Sequence, residues 1–400
     1  MDSIKTQYGN VLVVDNGGFF PEDDLHQPVS WFLMDAMKLM GTDAVGLGDR
    51  DLRFGLAWLR GQIKRTGLSM VCANLYDKSS KKPAIQPYVI KTVNGIKVGI
   101  VGLMSDKADV GPARDSIYVV EPSNVLKMSI AEMRKKGATV IVLLSQLGKI
   151  ESEDLVTAVE GVDALIVGKN VPLIQTGRMI KNTVACYGGD QGQYVGRTIL
   201  TLNGRNKPVS GENEMFILGP EVSEKKEVAD LVRGYEDGFN AMMARREKEQ
   251  TVSAALSDST KNAVDHFLGM DMCIRCHPGE GEQWKSTHHA QAWATLTERH
   301  KDATPECVPC HVVGYKQPGG FGMNSTGASM SNVQCENCHG MGTRHEAFAS
   351  VDHKVAEATC LACHTSSTSP DFSFAKFKPY IDHAHKASEL PPLSSKTPMK

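Results

Sequence analysis

The pentapeptide Cys-x-x-Cys-His occurs four times in the last third of the chain, at 273–277, 307–311, 335–339 and 360–364. This spacing is the attachment signature of c-type haem, in which two thiols form thioether bonds to the porphyrin and the adjacent His binds the iron. We therefore predict four haem c groups, attached through Cys273, Cys276, Cys307, Cys310, Cys335, Cys338, Cys360 and Cys363. The predicted proximal iron ligands are His277, His311, His339 and His364.

Structural zinc sites and disulfide bonds also use paired cysteines. Neither requires a His directly after every second Cys, whereas haem c attachment uses that residue as an iron ligand. The repeated pentapeptide therefore favours haem over both alternatives.

The composition of the chain changes near residue 260. From His266 onward the chain carries 12 of its 13 His and eight of its 10 Cys, and a length of 400 residues favours two domains. The predicted organisation is an α/β domain over 1–219, a linker helix and hinge over 220–263, a tetrahaem cytochrome domain over 264–385 and a flexible tail over 386–400.

Charge and hydropathy argue against nucleic-acid binding and against a membrane-spanning segment. The formal net charge is -2, without a basic footprint or a nucleic-acid-binding motif. No apolar run is long enough to cross a bilayer. We therefore expect neither nucleic-acid binding nor a transmembrane segment, and the oligomeric state stays open.

The first 219 residues alternate apolar strands with amphipathic helices, which is typical of a layered α/β domain. A hairpin is predicted around Asn94-Gly95. Cys72 and Cys186 lie in strand-like apolar segments and are expected to be buried thiols, although a disulfide between them stays open.

Four segments of this domain, at 13–20, 43–55, 73–77 and 87–103, resemble the 5′-nucleotidase branch of the calcineurin-like metallophosphoesterases. The resemblance extends to about residue 219 and implies the metallophosphoesterase fold without its first strand. The strand carrying the family's Asp-x-His pair would precede Met1, and residues 2–9 would end the helix after it. We therefore expect a truncated or processed N-terminus.

The resemblance also implies that the family's metal ligands are largely lost. These enzymes hold two divalent ions with Asp, Asn and His to activate a water. Gly18 stands where the family has the Asp that bridges the two metals, and Asp49-Arg50-Asp51 stand in place of its Asn-His-Glu triplet. Gln146 replaces the His of the family's Ser-His-Leu-Gly, and residues 168–171 replace its Gly-His-x-His. The domain is therefore expected to be catalytically inactive. Asp49, Arg50 and Lys169 form a candidate anion site. The alternative is a former active site that binds no ligand and whose cationic side chains face solvent.

Residues 221–250 are rich in charged residues and carry apolar side chains at helical spacing. This pattern predicts an amphipathic helix that packs its apolar stripe on one domain. The polar stretch 251–263 is expected to act as a hinge.

The stretch 264–385 has too few apolar residues for a conventional core. Bound porphyrins would replace that core, so we expect short helices, irregular structure and dependence on haem for folding. The remaining His residues outnumber the nearby Met candidates for the sixth iron position, which favours ligation of each iron by two His.

A second resemblance covers about 273–383. The segments 284–290, 314–321, 333–345 and 369–374 are similar to the tetrahaem cytochrome that accepts electrons from hydroxylamine oxidoreductase. This resemblance implies that His289, His345 and His383 are distal ligands. His345 is expected to serve an iron other than that of His339. The fourth distal ligand is unassigned, and the family includes one five-coordinate iron.

Together these features predict an exported electron-transfer protein, periplasmic or extracellular, which carries a non-hydrolytic phosphoesterase-like domain. Its expected partners are redox proteins, either other cytochromes or an oxidoreductase. Two enzymatic alternatives stay open. One is chemistry on a small nitrogen or sulfur compound at an open haem, and the other is residual metal-dependent phosphoesterase activity.

Overall fold

The computed structural model describes residues 2–169, 171, 174, 176–188, 192–219, 222–255, 265–322, 327–343 and 355–383. The chain divides into two compact units, Met1–Leu231 and Val232–Lys400. The division falls inside a single long helix, Lys226–Ala255. Predicted features within 256–264 and 384–400 lie outside the described residues.

The first unit alternates strands and helices along most of its length. Its helices are α1 Asp2–Tyr8, α2 Gln27–Leu39, α3 Leu56–Thr66, α4 Pro122–Lys135 and α5 Lys149–Ala158. Its strands are β1 Val14–Asp15, β2 Ala44–Gly46, β3 Met70–Val71, β4 Leu75–Asp77, β5 Tyr88–Val93, β6 Ile96–Met104, β7 Ile117–Val119, β8 Val140–Gln146, β9 Ala164–Val167, β10 Arg178–Ile180, β11 Thr183–Tyr187, β12 Tyr194–Leu202 and β13 Pro208–Ile217.

Two sheets form the centre of this unit. A six-stranded sheet has the order β10-β11-β9-β8-β6-β5, and a parallel three-stranded sheet has the order β1-β2-β3. Strands β6, β8, β9 and β11 run parallel, which requires crossover connections such as α4 and α5. The hairpin β12-β13 and the pair β4-β7 complete the strands.

Apolar side chains hold the layers together. One buried cluster joins the two sheets and includes Ala44, Val71 and Ile100. Two further clusters pack α4 and α5 on the large sheet and α2 and α3 on the small one, through residues such as Leu126 and Leu59. The predicted layered α/β fold is therefore confirmed, as an α/β/β/α arrangement.

The second unit contains only short helices after the long one, among the residues that the structure describes. They are Met270–Cys273, Pro278–Lys285, Ala292–Thr297, Val308–His311, Cys335–His339, Glu357–Leu361 and Phe374–Phe377. One small apolar cluster is present, with Leu296, Val308, Val312 and Phe321 buried and Trp293 against Phe321 at 4.7 Å between ring centroids. The mostly helical and irregular character predicted for this region is confirmed.

The middle of the long helix, here α6, packs within the second unit. Phe239 is 7% exposed, and the Nδ2 of Asn240 donates to the carbonyl oxygen of His300 at 2.7 Å. Nδ1 of His300 lies 2.8 Å from Oδ1 of Asp237, and Lys301 pairs with Glu236. In the described residues no helix is both long enough and apolar enough to span a membrane.

Candidate functional sites

Each Cys-x-x-Cys-His motif is positioned by a short helix or helical turn. In the first and fourth motifs, the His277 and His364 backbone N–H groups donate to the carbonyls of Cys273 and Cys360, at 3.0 and 2.9 Å. In such a turn, residues three and four positions apart lie on one face. The local fold therefore directs both thiols and the His of each motif to the same side, as haem attachment requires.

Three His rings of the second unit are oriented through their Nδ1 atoms. Nδ1 of His311 lies 2.5 Å from the carbonyl oxygen of Ala292, and Nδ1 of His383 lies 3.0 Å from Oε1 of Gln283. Both oxygens only accept, so Nδ1 carries the proton in each ring. Nδ1 of His364 lies 2.9 Å from Oγ of Ser369. In all three, Nε2 is left for iron, which is how metal-binding His rings are usually held.

The structure brings His residues together in two pairs. The ring centroids of His289 and His364 are 6.2 Å apart, and those of His339 and His383 are 6.1 Å apart. With a metal–nitrogen distance of about 2 Å and about 1.1 Å from ring centroid to nitrogen, two imidazoles on opposite faces of one iron have centroids about 6 Å apart. The centroid spacing of each pair therefore matches that of two imidazole ligands on one iron.

Burial favours the ligand form of two of these rings. It lowers the pKa of His289 to about 4, with the positive charges of His364, His288 and His311 acting in the same direction. Burial also lowers the pKa of His364. Metal ions bind the neutral imidazole, so both rings are in the form that iron requires at neutral pH.

Cysteine thiols of different motifs lie within contact distance of one another. The Cys273 thiol is hydrogen-bonded to that of Cys335, and this bond together with burial raises the pKa of Cys273. Burial and then a hydrogen bond to Cys310 raise the pKa of Cys363 to about 12. The first motif therefore adjoins the third, and the second adjoins the fourth.

The other His candidates differ in their surroundings. His288 is exposed, and His300 is bound to Asp237 on α6. His345, predicted as a distal ligand, lies outside the described residues, as do His353 and His385. Within the described ranges, no His ring faces His311 in the way that His383 faces His339.

Sequence patterns carried no signal for Ala292, Gln283 and Ser369 as partners of ligand rings, because those contacts are made only in the folded chain.

In the first unit, the carboxyl ends of β1, β2, β8 and β9 meet at one edge. The Gln146 amide fills the centre, where its Nε2 donates to the carbonyl oxygens of Asn16 at 2.8 Å and Gly17 at 3.1 Å. A Cβ built on Gly18 would lie 3.3 Å from that Nε2. A larger side chain at position 18, such as a carboxylate, would therefore crowd the Gln146 amide.

The predicted anion-site residues converge on the same edge. Nζ of Lys169 forms an ion pair with Oδ2 of Asp49 at 2.6 Å, and Nε of Arg50 donates to the carbonyl oxygen of Phe20 at 3.2 Å. The charge of Lys169 is therefore balanced by its neighbour, while Arg50 is exposed. Binding of an anion here stays a prediction. Among the described residues, no three His, Cys, Asp or Glu side chains converge where a metal ion would fit.

Asp51 supports the loop beside this edge. Its fully buried carboxylate accepts from the backbone N–H groups of Gly18 at 2.6 Å, Gly48 at 2.9 Å and Phe19 at 3.0 Å. Burial raises its pKa to about 6, against the opposing effect of these hydrogen bonds. Gly17 and Gly18 have φ of 76° and 77°, a backbone region that glycine adopts without strain.

The two remaining cysteines are buried in the first unit and unpaired. Cys72 contacts Asn74 and Cys186 contacts Thr198. Burial raises the pKa of Cys72 to about 12 and that of Cys186 to about 11. Both behave as small apolar residues with inert thiols.

Comparisons with known proteins separate the two units. Residues 272–340 match a family model described as cytochrome c554 and c-prime. Cytochrome c-554 of Nitrosomonas europaea is 29% identical over 157 residues, which cover 29% of this chain and 67% of that protein.

The N-terminal part matches different proteins. A 5′-nucleotidase of Vibrio cholerae is 31% identical over 156 residues, which cover 37% of this chain and 28% of that enzyme. The chain thus spans less than a third of that nucleotidase. Among solved structures, a 5′-nucleotidase precursor from Thermus thermophilus has a TM-score of 0.56 at 22% identity, covering 60% of this chain and 52% of that one. The calcineurin-like phosphoesterase YfkN of Bacillus subtilis has a TM-score of 0.51 at 22% identity, covering 60% of this chain and 86% of that one. These likenesses establish the fold of the first unit. The chain therefore joins an N-terminal domain with the fold of 5′-nucleotidases and calcineurin-like phosphoesterases to a C-terminal region that is similar to cytochrome c554.

Proposed function

We propose that this chain is an electron-transfer protein with four haem c groups, working outside the cytoplasm with redox proteins as partners. The observation that carries this proposal is the pair of imidazole arrangements, His289 with His364 and His339 with His383, at the spacing that one iron would fill. When bound, haem c supplies reversible one-electron chemistry, and two His ligands on an iron suit transfer rather than substrate binding.

The proximity of the motifs supports stepwise transfer within the second unit. The thiol contacts Cys273–Cys335 and Cys310–Cys363 join the first motif to the third and the second to the fourth. The charge of Cys360 also acts on Cys338, so the third motif adjoins the fourth. These contacts favour the order first, third, fourth and second motif along one path.

A potentiometric titration of the full chain, made in a haem-maturing, export-competent host, tests the proposal. We expect four one-electron steps per chain and low-spin spectra from the two His pairs. Fewer than four steps would refute the tetrahaem assignment, and a colourless protein with eight alkylatable thiols would refute haem attachment altogether.

We further propose that the phosphoesterase-like domain does not hydrolyse phosphate esters and serves as a scaffold or docking module. Gln146 is held by the carbonyl oxygens of Asn16 and Gly17 beside Gly18, while Arg50 and Lys169 stand where the resemblance implies the catalytic His and a further His. Hydrolysis in this family requires two metal ions that activate a water, and these replacements remove ligands for the ions.

A second candidate function is a reaction of a small nitrogen or sulfur compound at the second motif. His311 is oriented by Ala292, yet among the described residues no second His ring faces it. An open sixth position would give a high-spin electron paramagnetic resonance signal that changes when nitric oxide, nitrite or hydroxylamine is added. Absence of any high-spin signal would exclude this candidate.

A further inference from the structure

The third haem motif contains a buried carboxylate. Glu336 lies between Cys335 and Cys338 and is only 4% exposed. Glutamate is almost never fully buried unless its charge is paired or hydrogen-bonded, because removal of a carboxylate from water is costly. The surroundings of this side chain must therefore compensate for the lost hydration.

Backbone N–H groups from two other segments provide that compensation. Oε1 of Glu336 accepts from Gly342 at 2.6 Å and from Leu268 at 3.0 Å, while Oε2 accepts from Gly269 at 2.8 Å. Hydrogen bonds to a charged acceptor are shorter and stronger than neutral ones. The carboxylate is thus held on both of its oxygens.

These hydrogen bonds link the third motif to the first. Leu268 and Gly269 directly precede the helix Met270–Cys273, which leads into the first Cys-x-x-Cys-His. The neighbouring Gln334 acts in the same way, because its Oε1 accepts from the N–H of Met270 at 2.7 Å. Two side chains flanking Cys335 therefore hold the entry to the first motif.

The charge of Glu336 also reaches both motifs. The pKa of Cys273 is raised mainly by its hydrogen bond to Cys335 and by burial, and the negative charge of Glu336 acts in the same direction. It opposes ionisation of the Cys335 thiol as well. Because the site is largely screened from water, a charge there acts more strongly than one at the surface.

We propose that Glu336 is a positioning residue shared by the first and third haems, whose backbone-held negative charge also lowers the reduction potentials of both. The inference rests on the proposed haem attachment. A nearby negative charge stabilises the more positive, oxidised state of an iron centre, and net charge and burial are among the factors that set haem potentials. The same carboxylate fixes the two attachment segments against each other.

The test is Glu336→Gln in the full haem-loaded chain, with the potential of each haem resolved by nuclear magnetic resonance during a redox titration. This substitution keeps the shape of the side chain and removes its charge. We expect the midpoint potentials of the first and third haems to rise, with the other two unchanged. Potentials that stay at their original values in a fully loaded variant would overturn the proposal, since a purely structural role changes only stability.

A matched control is Glu357→Gln. Glu357 is exposed and lies close enough to Cys360 in the fourth motif for its charge to affect that thiol. Solvent screens this carboxylate, so its loss is expected to leave all four potentials nearly unchanged. A shift as large as that of Glu336→Gln would overturn the claim that burial gives Glu336 its effect.

Two further variants keep the inference falsifiable if Glu336→Gln fails to retain its haems. Glu336→Asp keeps the charge, so the melting temperature should fall while the potentials stay low, and raised potentials would contradict the proposal. In Gly342→Ala, a Cβ would lie 3.0 Å from Oε1 of Glu336 and 3.1 Å from Cδ1 of Leu268, so the carboxylate must shift. Because the charge is kept in that variant too, the melting temperature should fall while the potentials of both haems stay low, and raised potentials would contradict the proposal. Failure of the proposed function is distinct, because the unmutated protein would then be colourless.

Discussion

At the residue scale, the account depends on single imidazoles placed opposite one another. His339 is fixed by its own motif, whereas His383 comes from a distant part of the chain and is oriented by Gln283. The cysteine and proximal His positions could be predicted from the sequence, because attachment chemistry requires all of them within one helical turn. The pairing of distal and proximal rings could not, because folding alone brings residues 44 or more positions apart to about 6 Å, the spacing two ligands of one metal need.

This pairing gives a first prediction. His383→Ala is expected to convert one low-spin haem into a high-spin one, because the iron on His339 loses its second imidazole, while the other haem signals persist. Electron paramagnetic resonance of the oxidised protein measures the change. His288→Ala, which removes an exposed ring, is the control and should leave the spectrum unaltered. Retention of every low-spin signal in His383→Ala would contradict the pairing.

Asp51 gives a second prediction, on pH dependence. Its pKa is raised by burial to about 6, whereas an unfolded Asp titrates near pH 3.9, a difference of about 2 to 3 kcal/mol in stability. Because the folded pKa is the higher one, this stability is fully present below about pH 4 and is lost as the pH rises through about 6.

Thermal unfolding of the first unit, followed by the fluorescence of Trp31 and Trp58, measures this dependence. Asp51→Asn should abolish the decline between pH 4 and 6 while lowering overall stability, since an amide NH₂ would face backbone donors. The exposed Asp106→Asn should keep the decline. An unchanged pH profile in Asp51→Asn would show that another group is responsible.

At the element scale, the elements that could be predicted are those whose own residues carry a strong turn signal or apolar pattern. The hairpin β5-β6 was predicted from Asn94-Gly95, and both residues have positive φ, 47° and 79°. The sequence over 51–66 predicts one continuous helix, which is wrong in part, because Gly55 at φ 83° separates a short turn, Arg50–Leu52, from α3. Strand β13 is mostly exposed and polar, so its sequence carries no apolar pattern from which a strand could be predicted.

The long helix α6 provides a third prediction. Phe239→Ala should destabilise the second unit by about 3 kcal/mol, because a nearly buried aromatic side chain is removed. Its neighbour Gly238 is exposed, and nothing beyond its own helix backbone lies within 4 Å of the place a Cβ would take, so Gly238→Ala should stabilise the helix by about 0.5 to 1 kcal/mol. Chemical denaturation followed by haem absorbance compares the two. Equal effects of both substitutions would contradict packing of this helix on the second unit.

At the scale of the whole molecule, two different folds are joined in one chain, and the resemblance of the first to phosphoesterases implies that its metal ligands are largely replaced. The fold of the first unit could be predicted because its core is apolar and periodic. The contacts at the edge that holds Gly18, Asp49 and Gln146 could not be predicted from the sequence. The Lys169–Asp49 ion pair and the hydrogen bonds of the Gln146 amide join residues far apart in sequence.

This arrangement yields a fourth prediction. The full chain supplied with Mn²⁺ or Zn²⁺ should show no metal-dependent hydrolysis of nucleotides or aryl phosphates, because Gly18 and Gln146 stand where the resemblance implies metal ligands and Arg50 stands where it implies the catalytic His. A colorimetric phosphate-release assay measures this, with an active 5′-nucleotidase as the positive control. Turnover that rises with added metal and disappears with a chelator would restore a hydrolytic function.

Covalent haem in the C-terminal unit is the claim on which the whole account depends, and intact mass spectrometry tests it most directly. The measurement uses the full chain purified from a host that exports proteins and matures c-type cytochromes. The account predicts a mass that exceeds the polypeptide by four haems, with none of the eight motif cysteines open to alkylation. A mass equal to the polypeptide alone, with those eight thiols reactive, would contradict it.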